Sequence, residues 1–198
     1  MNAINEILVY LLQTVIGLYL LIMLMRFVLQ VSLADFYNPL SQFLVRATNP
    51  LVLPVRRLIP ARGRFDPASL IIAVLIQLVG IVALLALNGI SLTGLPSVGL
   101  LLAWSVIGAA ALLVQIYFFA LLGTIILSWV APGSSNPAAL LMYQITEPLM
   151  APFRRMLPSM GGLDLSPILV FVLIKIVEIT LRNLAGGLGL HPALVMGI

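Results

Sequence analysis

One stretch of sequence is present twice in the chain, as NPLSQFLVRATNPLVLPVRRLIP at residues 38–60 and as NPAALLMYQITEPLMAPFRRMLP at residues 136–158. The copies are 98 residues apart and align without a gap, and nine of their 23 positions are identical, four of them proline and two arginine. Chance does not keep that many prolines and arginines in one register, so the sequence predicts a duplicated unit. We place the first repeat at residues 1–98 and the second at residues 99–198.

The sequence on either side of these segments is strongly apolar. Of the 198 residues, 62% are hydrophobic and 8% are charged, whereas soluble domains carry about 25% charged residues. Four apolar runs are long enough to cross a bilayer as helices, at residues 7–34, 69–87, 99–130 and 167–184. The predicted fold is an all-α polytopic membrane protein of four transmembrane helices. Each repeat is a helical hairpin with an even number of spans, so the two repeats are parallel.

The few cations indicate how the chain is oriented in the membrane. The net charge is +4, but the cations lie between long apolar runs, and we expect no direct nucleic-acid partner. Seven arginines lie in the loops after the first and third helices, and neither Lys nor Arg occurs between residues 88 and 99. By the positive-inside rule, both arginine-bearing loops face the cytoplasm and both termini lie outside.

The duplicated segment predicts helices that lie in the membrane interface. Asn38 is a good N-cap, Pro39 suits the first helical position, and an apolar stripe follows at helical spacing. We expect a short amphipathic helix, after which Pro50 restarts the chain and Pro54 bends or delays the next turn. We assign the interfacial segments to residues 38–60 and 136–158. The repeated structural positions are Pro50, Pro54, Pro60, Asp66, Pro148, Pro152, Pro158, Gly161 and Asp164.

The twin arginine pairs are candidate sites for binding lipid or a partner protein. They are Arg56 and Arg57 in the first copy, with Arg154 and Arg155 in the second. One hypothesis is general attraction to anionic headgroups at the interface. Others are that the arginines and the loop carboxylates lock the hairpins together or recognise a ligand, or that the arginines dock a partner.

The two loop carboxylates have different expected roles. Asp66 precedes Pro67, and Ser166 precedes Pro167, which is the arrangement of a cap followed by the first helical residue. Asp164 does not occupy that cap position. We therefore expect Asp164 to pair with Arg154 or Arg155.

Four ionisable residues fall within the apolar runs and form a candidate intramembrane polar site. Lys175, Glu178 and Arg182 share one narrow helical stripe. Either Lys175 and Glu178 neutralise each other while Arg182 reaches the outer interface, or the stripe lines an ion or proton path. Arg26 lies near the cytoplasmic end of the first helix, where we expect it to reach the interface or to pair with Glu178 or Asp35.

The chain resembles the YggT family of integral membrane proteins, which includes the YlmG proteins and their chloroplast relatives. The resemblance rests on the twin segments Pro50–Pro60 and Pro148–Pro158 and on Gly161–Pro167. It implies a bacterial inner membrane and a link to osmotic-stress tolerance and cell division. Plastid relatives imply roles in organelle membrane and nucleoid organisation, and one branch implies cytochrome maturation.

We expect a protein that is not an enzyme. The chain has no cysteine and one histidine, which leaves too few soft ligands for a usual zinc or haem site, and we expect no metal or other cofactor. The leading hypothesis is a membrane scaffold or assembly factor that holds anionic lipid and a membrane-protein partner or a second copy of itself. The alternative is an ion or solute transporter, or a channel subunit, that acts in osmotic stress.

Overall fold

The computed structural model describes residues 3–156 and 164–195 of the chain. The helical fold class predicted from the sequence is confirmed. The described part contains six α-helices, with bounds α1 Ala3–Val31, α2 Pro39–Leu58, α3 Pro67–Leu87, α4 Val98–Val130, α5 Pro137–Met156 and α6 Ser166–Gly187.

Three of these helices, α1, α3 and α4, are long and apolar enough to cross a membrane. Helix α1 has 29 residues and α4 has 33, which at 1.5 Å per residue makes them about 43 and 50 Å long. Both exceed the hydrocarbon core of about 30 Å, so they tilt or extend beyond it. Helix α6 is not among the three, since it carries Lys175, Glu178 and Arg182. Four spans therefore stay a prediction.

The helices pack as two hairpins that contact each other. Helix α1 packs along α3 and α4 along α6, while α3 and α4 join the pairs. Leu20, Leu24 and Val28 of α1 pack with Ile72 and Ala73 of α3 in the main apolar core. Large apolar side chains cover much of the outer surface as well, as expected where lipid is the solvent.

Helices α2 and α5 each run without a break through two prolines. The expectation that Pro50 restarts the chain is therefore wrong. Side chains of α1 donate to carbonyls in the turn before Pro50: Arg26 Nη1 to Val45 O at 3.2 Å and the Tyr19 hydroxyl to Ala47 O at 3.3 Å. These contacts bind α1 to the turn before Pro50. The carbonyl that loses its own helical donor at Pro50 is that of Arg46.

Helices α2 and α5 lie beside each other at one end of the bundle. The Asn38 amide donates to Pro137 O at 2.8 Å, and the Asp35 N–H donates to Gln144 Oε1 at 2.9 Å. At the opposite end, Asn5 Nδ2 contacts Leu87 O and Trp104 Nε1 contacts Leu188 O. Both proline-containing helices therefore belong to one side of the protein.

This arrangement predicts a labelling pattern in intact cells or sealed vesicles. The chain has no cysteine of its own, so single cysteines can be introduced at Leu58 and Met156, which are 83% and 73% exposed. Leu58→Cys and Met156→Cys should react with an impermeant maleimide from the same side, and Ser91→Cys from the other. Reaction of the first two from opposite sides would contradict the fold.

Candidate functional site

The amphipathic helices α2 and α5 begin in the same way. Asn38 Oδ1 accepts the N–H of Leu40 at 2.9 Å, and Asn136 Oδ1 accepts the N–H of Ala138 at 2.9 Å. Pro39 occupies the first turn of α2, where its missing N–H costs nothing. The predicted Asn cap is therefore confirmed, and it fixes where each amphipathic helix starts.

Arg56 joins three helices near the end of α2. Its Nε and Nη2 bind the two carboxylate oxygens of Asp66 at 3.2 and 2.6 Å. Nη2 also donates to Gln30 Oε1 of α1 at 2.6 Å. The Asp66 side chain is fully buried and that of Arg56 is 28% exposed. The Arg56 guanidinium therefore faces protein, whereas the hypothesis of general attraction expected it among anionic headgroups.

Asp66 occupies the N-cap position of α3 but makes no capping hydrogen bond to the backbone. Its carboxylate instead accepts hydrogen bonds from Arg56 and from the Ser69 hydroxyl. Burial alone would raise the pKa of Asp66, but these hydrogen bonds and the charges of Arg56 and Arg26 outweigh burial and hold the pKa below its ordinary value. The sequence predicted the cap position of Asp66 correctly, and it raised pairing with the arginines as a contact between the hairpins and not within one repeat.

The second repeat contains the equivalent ion pair in a more exposed form. Arg154 Nε lies 3.2 Å from Asp164 Oδ2, and Arg154 Nη1 lies 2.9 Å from Glu147 Oε1. The Arg154 and Asp164 side chains are 46% and 42% exposed. The expected pairing of Asp164 is thus observed, with Arg154 as its partner. Each pair lies within one repeat, so these pairs do not join the two hairpins.

Asp164 also contacts the start of α6. Its Oδ1 accepts the N–H of Ser166 at 2.9 Å. Ser166 is the first helical residue and not the cap, which corrects the expected arrangement. Ser166 is the main cause of a pKa of Asp164 below its ordinary value, and Arg154 lowers this pKa further.

The other members of the arginine pairs and the repeated motif have simpler surroundings. Arg57 and Arg155 are exposed at the ends of α2 and α5. Pro60 is exposed just beyond α2, while Pro148 and Pro152 lie inside α5. Pro158 and Gly161 lie outside the described residues.

Arg26 is buried against α2. It is 4% exposed, and its Nη1 donates to Thr48 Oγ1 at 2.7 Å, Asn49 Oδ1 at 2.8 Å and Val45 O. The expectation that it reaches out to the interface is wrong. Within residues 3–156 and 164–195, it forms no ion pair with Glu178 or Asp35. Thr48 and Asn49, just before Pro50, are the polar residues in the sequence that accept from Arg26. The sequence analysis did not identify them as its partners.

In α6, Glu178 binds both of the charged residues near it, Lys175 and Arg182. Glu178 lies 3.0 Å from Lys175 Nζ through Oε2 and 2.7 Å from Arg182 Nη2 through Oε1. The predicted neutralisation of Lys175 by Glu178 is therefore observed, and Arg182 joins it. The Lys175, Glu178 and Arg182 side chains are 61%, 31% and 63% exposed. We call these three residues the α6 triad; Arg26 does not belong to it.

Comparison with known proteins identifies the duplication. The sequence model of the CCB3/YggT family matches twice, at residues 5–87 and 103–185. The chain belongs to the CCB3/YggT family. The two matched ranges begin and end 98 residues apart, which confirms the internal repeat and the resemblance inferred from the sequence. The boundaries predicted for the repeats at residues 98 and 99 stay a prediction.

The relatives cover almost the whole chain. Uncharacterized protein PA0392 of Pseudomonas aeruginosa is 52% identical over 195 residues, which is 98% of either chain. Uncharacterized protein YggT of Escherichia coli K12 is 38% identical over 196 residues, or 96% of this chain and 98% of that protein. A Vibrio alginolyticus protein is 39% identical over 181 residues, 89% of this chain and 94% of its own length. No solved structure matches the chain.

The different burial of the two ion pairs predicts different effects of neutralising each aspartate. Asp66→Asn should lower the free energy of unfolding by about 3 kcal/mol, because it leaves Arg56 without its buried partner. Asp164→Asn should lower it by less than about 1 kcal/mol, since the second pair is exposed. Unfolding in detergent, followed by circular dichroism, measures both. Equal losses would contradict the assigned burial.

The lowered pKa of Asp66 predicts acid sensitivity. A carboxyl whose pKa is lowered on folding adds stability above its ordinary pKa, and this stability is lost as pH falls through the folded value. The melting temperature of the wild type should therefore drop below about pH 4. Asp66→Asn lacks this contribution, so its melting temperature should change less between pH 5 and pH 3. If the melting temperature of Asp66→Asn falls with pH as steeply as that of the wild type, Asp66 is not the cause of the acid sensitivity.

Proposed function

We propose that this protein is a non-enzymatic scaffold or assembly factor of the bacterial inner membrane, linked to envelope organisation or cell division. In this proposal α6 is a fourth transmembrane helix, the arginine-bearing helices α2 and α5 lie at the cytoplasmic surface, and both termini are outside. The protein gathers anionic lipid and a membrane-protein partner, or a second copy of itself, at one place.

The observation that carries the proposal is the outward position of the α6 triad. Val170 and Ile174 of α6 pack with Leu121 of α4, which supports α6 as a span beside α4. On another face of α6, Lys175 and Arg182 are more than half exposed. Charged side chains facing hydrocarbon are expensive, whereas contact with another protein reduces that cost. The exposed triad therefore favours a surface that a partner helix covers.

The amphipathic helices support attachment to the inner leaflet. They lie side by side, and Arg57 and Arg155 remain exposed near their ends. Each cation near an anionic leaflet contributes about 1 kcal/mol of attraction. Arg56 and Arg154 are held in ion pairs, so we assign general lipid attraction chiefly to Arg57 and Arg155.

Transport in osmotic stress is the second candidate. Lys175 and Glu178 border a groove of about 870 Å³ between α4 and α6, together with Gln115 and apolar side chains. In this alternative the protein is a transporter or channel subunit for an ion or solute. Because the groove lies on the outside of the α4 and α6 pair, assembled copies would be needed to enclose a path.

Glu178→Gln separates the two functions. It removes the carboxylate shared by Lys175 and Arg182, so a partner docked on the α6 triad should be captured several-fold less. We would introduce a single cysteine at Ile179, which is 50% exposed beside the triad, and crosslink native membranes. Val15→Cys on α1, 65% exposed, is the matched control and should capture equally with or without Glu178→Gln.

The same variant also tests transport directly. The scaffold proposal expects unchanged ion flux in proteoliposomes and unchanged osmotic tolerance for Glu178→Gln. Lost flux and tolerance with a normal melting temperature would favour transport. Unaltered crosslinks at Ile179→Cys together with unaltered flux would contradict both roles of the triad.

A further inference from the structure

A small polar cavity lies between α1 and α2 in the first repeat. Its volume is about 280 Å³, and Arg26, Gln30, Ser41 and Arg56 line it together with apolar side chains. The cavity is distinct from the α6 triad and from the exposed Arg57, so neither part of the proposed function accounts for it.

Two residues that line this cavity each carry a buried polar atom without a hydrogen-bond partner among the described residues. The atoms are Nε of Arg26 and Oγ of Ser41, in residues that are 4% and 3% exposed. A buried donor without an acceptor costs free energy that a bound acceptor would recover. Both atoms are donors, or can be in the case of the hydroxyl, so the missing group is an acceptor.

Positive charge exceeds negative charge around the cavity. Arg26 and Arg56 are two positive groups, and Asp66 is the one carboxylate bound to either of them among the described residues. Among the described residues, the hydrogen bonds of Arg26 go to neutral acceptors of α2. Asp35 lies nearby in the chain, but its carboxylate is exposed and accepts the N–H of Tyr37. One buried positive charge is therefore left without a counter-charge, which favours an anion.

We propose that this cavity binds a phosphate group, either the phosphodiester of an anionic lipid headgroup or free phosphate. Such a group offers several acceptor oxygens to the Arg26 guanidinium and the Ser41 hydroxyl. Leu33 and Phe36 are among the apolar walls, and they would contact the glycerol or acyl part of a lipid. No bond is made or broken on binding.

The second repeat does not preserve these donors. At the 98-residue offset, Thr124 stands in the position of Arg26 and Ala139 in that of Ser41. The Thr124 hydroxyl donates to Ala120 O within its own helix. Each chain therefore has one such phosphate site, in the first repeat, and the second repeat is an internal reference.

This inference deepens the proposed attraction of anionic lipid, and it rests on the proposed position of α2 at the inner leaflet. It differs in that the general attraction depends on exposed surface charge, whereas the cavity depends on two buried donors. A substitution that leaves the surface charge unchanged therefore tests the cavity alone.

The test uses the full chain in a neutral detergent and follows its melting temperature during titration with three probes. These are short-chain phosphatidylglycerol, the matching diacylglycerol without phosphate, and inorganic phosphate. A ligand that binds the folded state raises the melting temperature in a saturable way. Response to phosphatidylglycerol alone identifies a lipid headgroup, and response to inorganic phosphate identifies the free ion. No response beyond that to diacylglycerol would overturn the proposal.

Ser41→Ala is the decisive variant because it removes a hydroxyl that has no hydrogen-bond partner among the described residues. Its melting temperature without ligand should equal or exceed that of the wild type. Its affinity for the responding phosphate probe should fall about tenfold to a hundredfold, which is the loss expected for one hydrogen bond to a charged group. Arg26→Gln should abolish the response. Because that variant also removes contacts to α2, the proposal is judged on Ser41→Ala.

A matched control separates this site from the proposed function. Thr124→Ala, at the matching position of the second repeat, should keep the wild-type affinity within about twofold, since Thr124 does not line the cavity. Equal affinity of wild type and Ser41→Ala would overturn the phosphate site while leaving the partner contact of α6 unaffected. Loss of crosslinking at Ile179→Cys would not change the Ser41→Ala result.

Discussion

The ion pair between Arg56 and Asp66 is the constraint on which the first repeat depends. Arg56 on α2 binds a fully buried carboxylate at the start of α3 and also binds Gln30 on α1. The contact therefore fixes the amphipathic helix to both members of the hairpin. With 8% of its residues charged, the chain has few such contacts available. A buried ion pair resists separation because removing either partner leaves an isolated charge in a poorly polar surrounding.

Helix α2 depends on α1 for more than its orientation. Proline removes a backbone donor and disturbs the preceding turn, which is why a proline-rich segment is expected to break. Here Tyr19 and Arg26 donate to carbonyls of that turn, and Thr48 and Asn49 accept from Arg26 as well. Side-chain hydrogen bonds thus join the apolar helix α1 to the amphipathic helix α2. The same contacts hold Arg26 where it borders the polar cavity.

Features that depend on local sequence or on the duplication were predictable from the chain alone. The repeat register, the helical class, the Asn38 cap and the pairing of Asp164 with one arginine of its own repeat belong to this group, because local sequence indicates them. Features that depend on contacts between distant residues were not. Helix α2 receives side-chain donors from residues about 20 to 30 positions earlier in the chain, and local helix rules do not include them. We expected Arg26 to reach the membrane interface because hydrophobic spacing does not reveal its acceptors on α2.

The sequence range of the Arg56 contacts has a consequence for biogenesis. The ion pair itself and its further partners Gln30 and Ser69 all precede Val98, where α4 begins. Because chains are synthesised from the amino terminus and fold in units as they emerge, the ribosome delivers every one of these groups before the second half exists. The contacts of this ion pair can thus form before the second half of the chain is made.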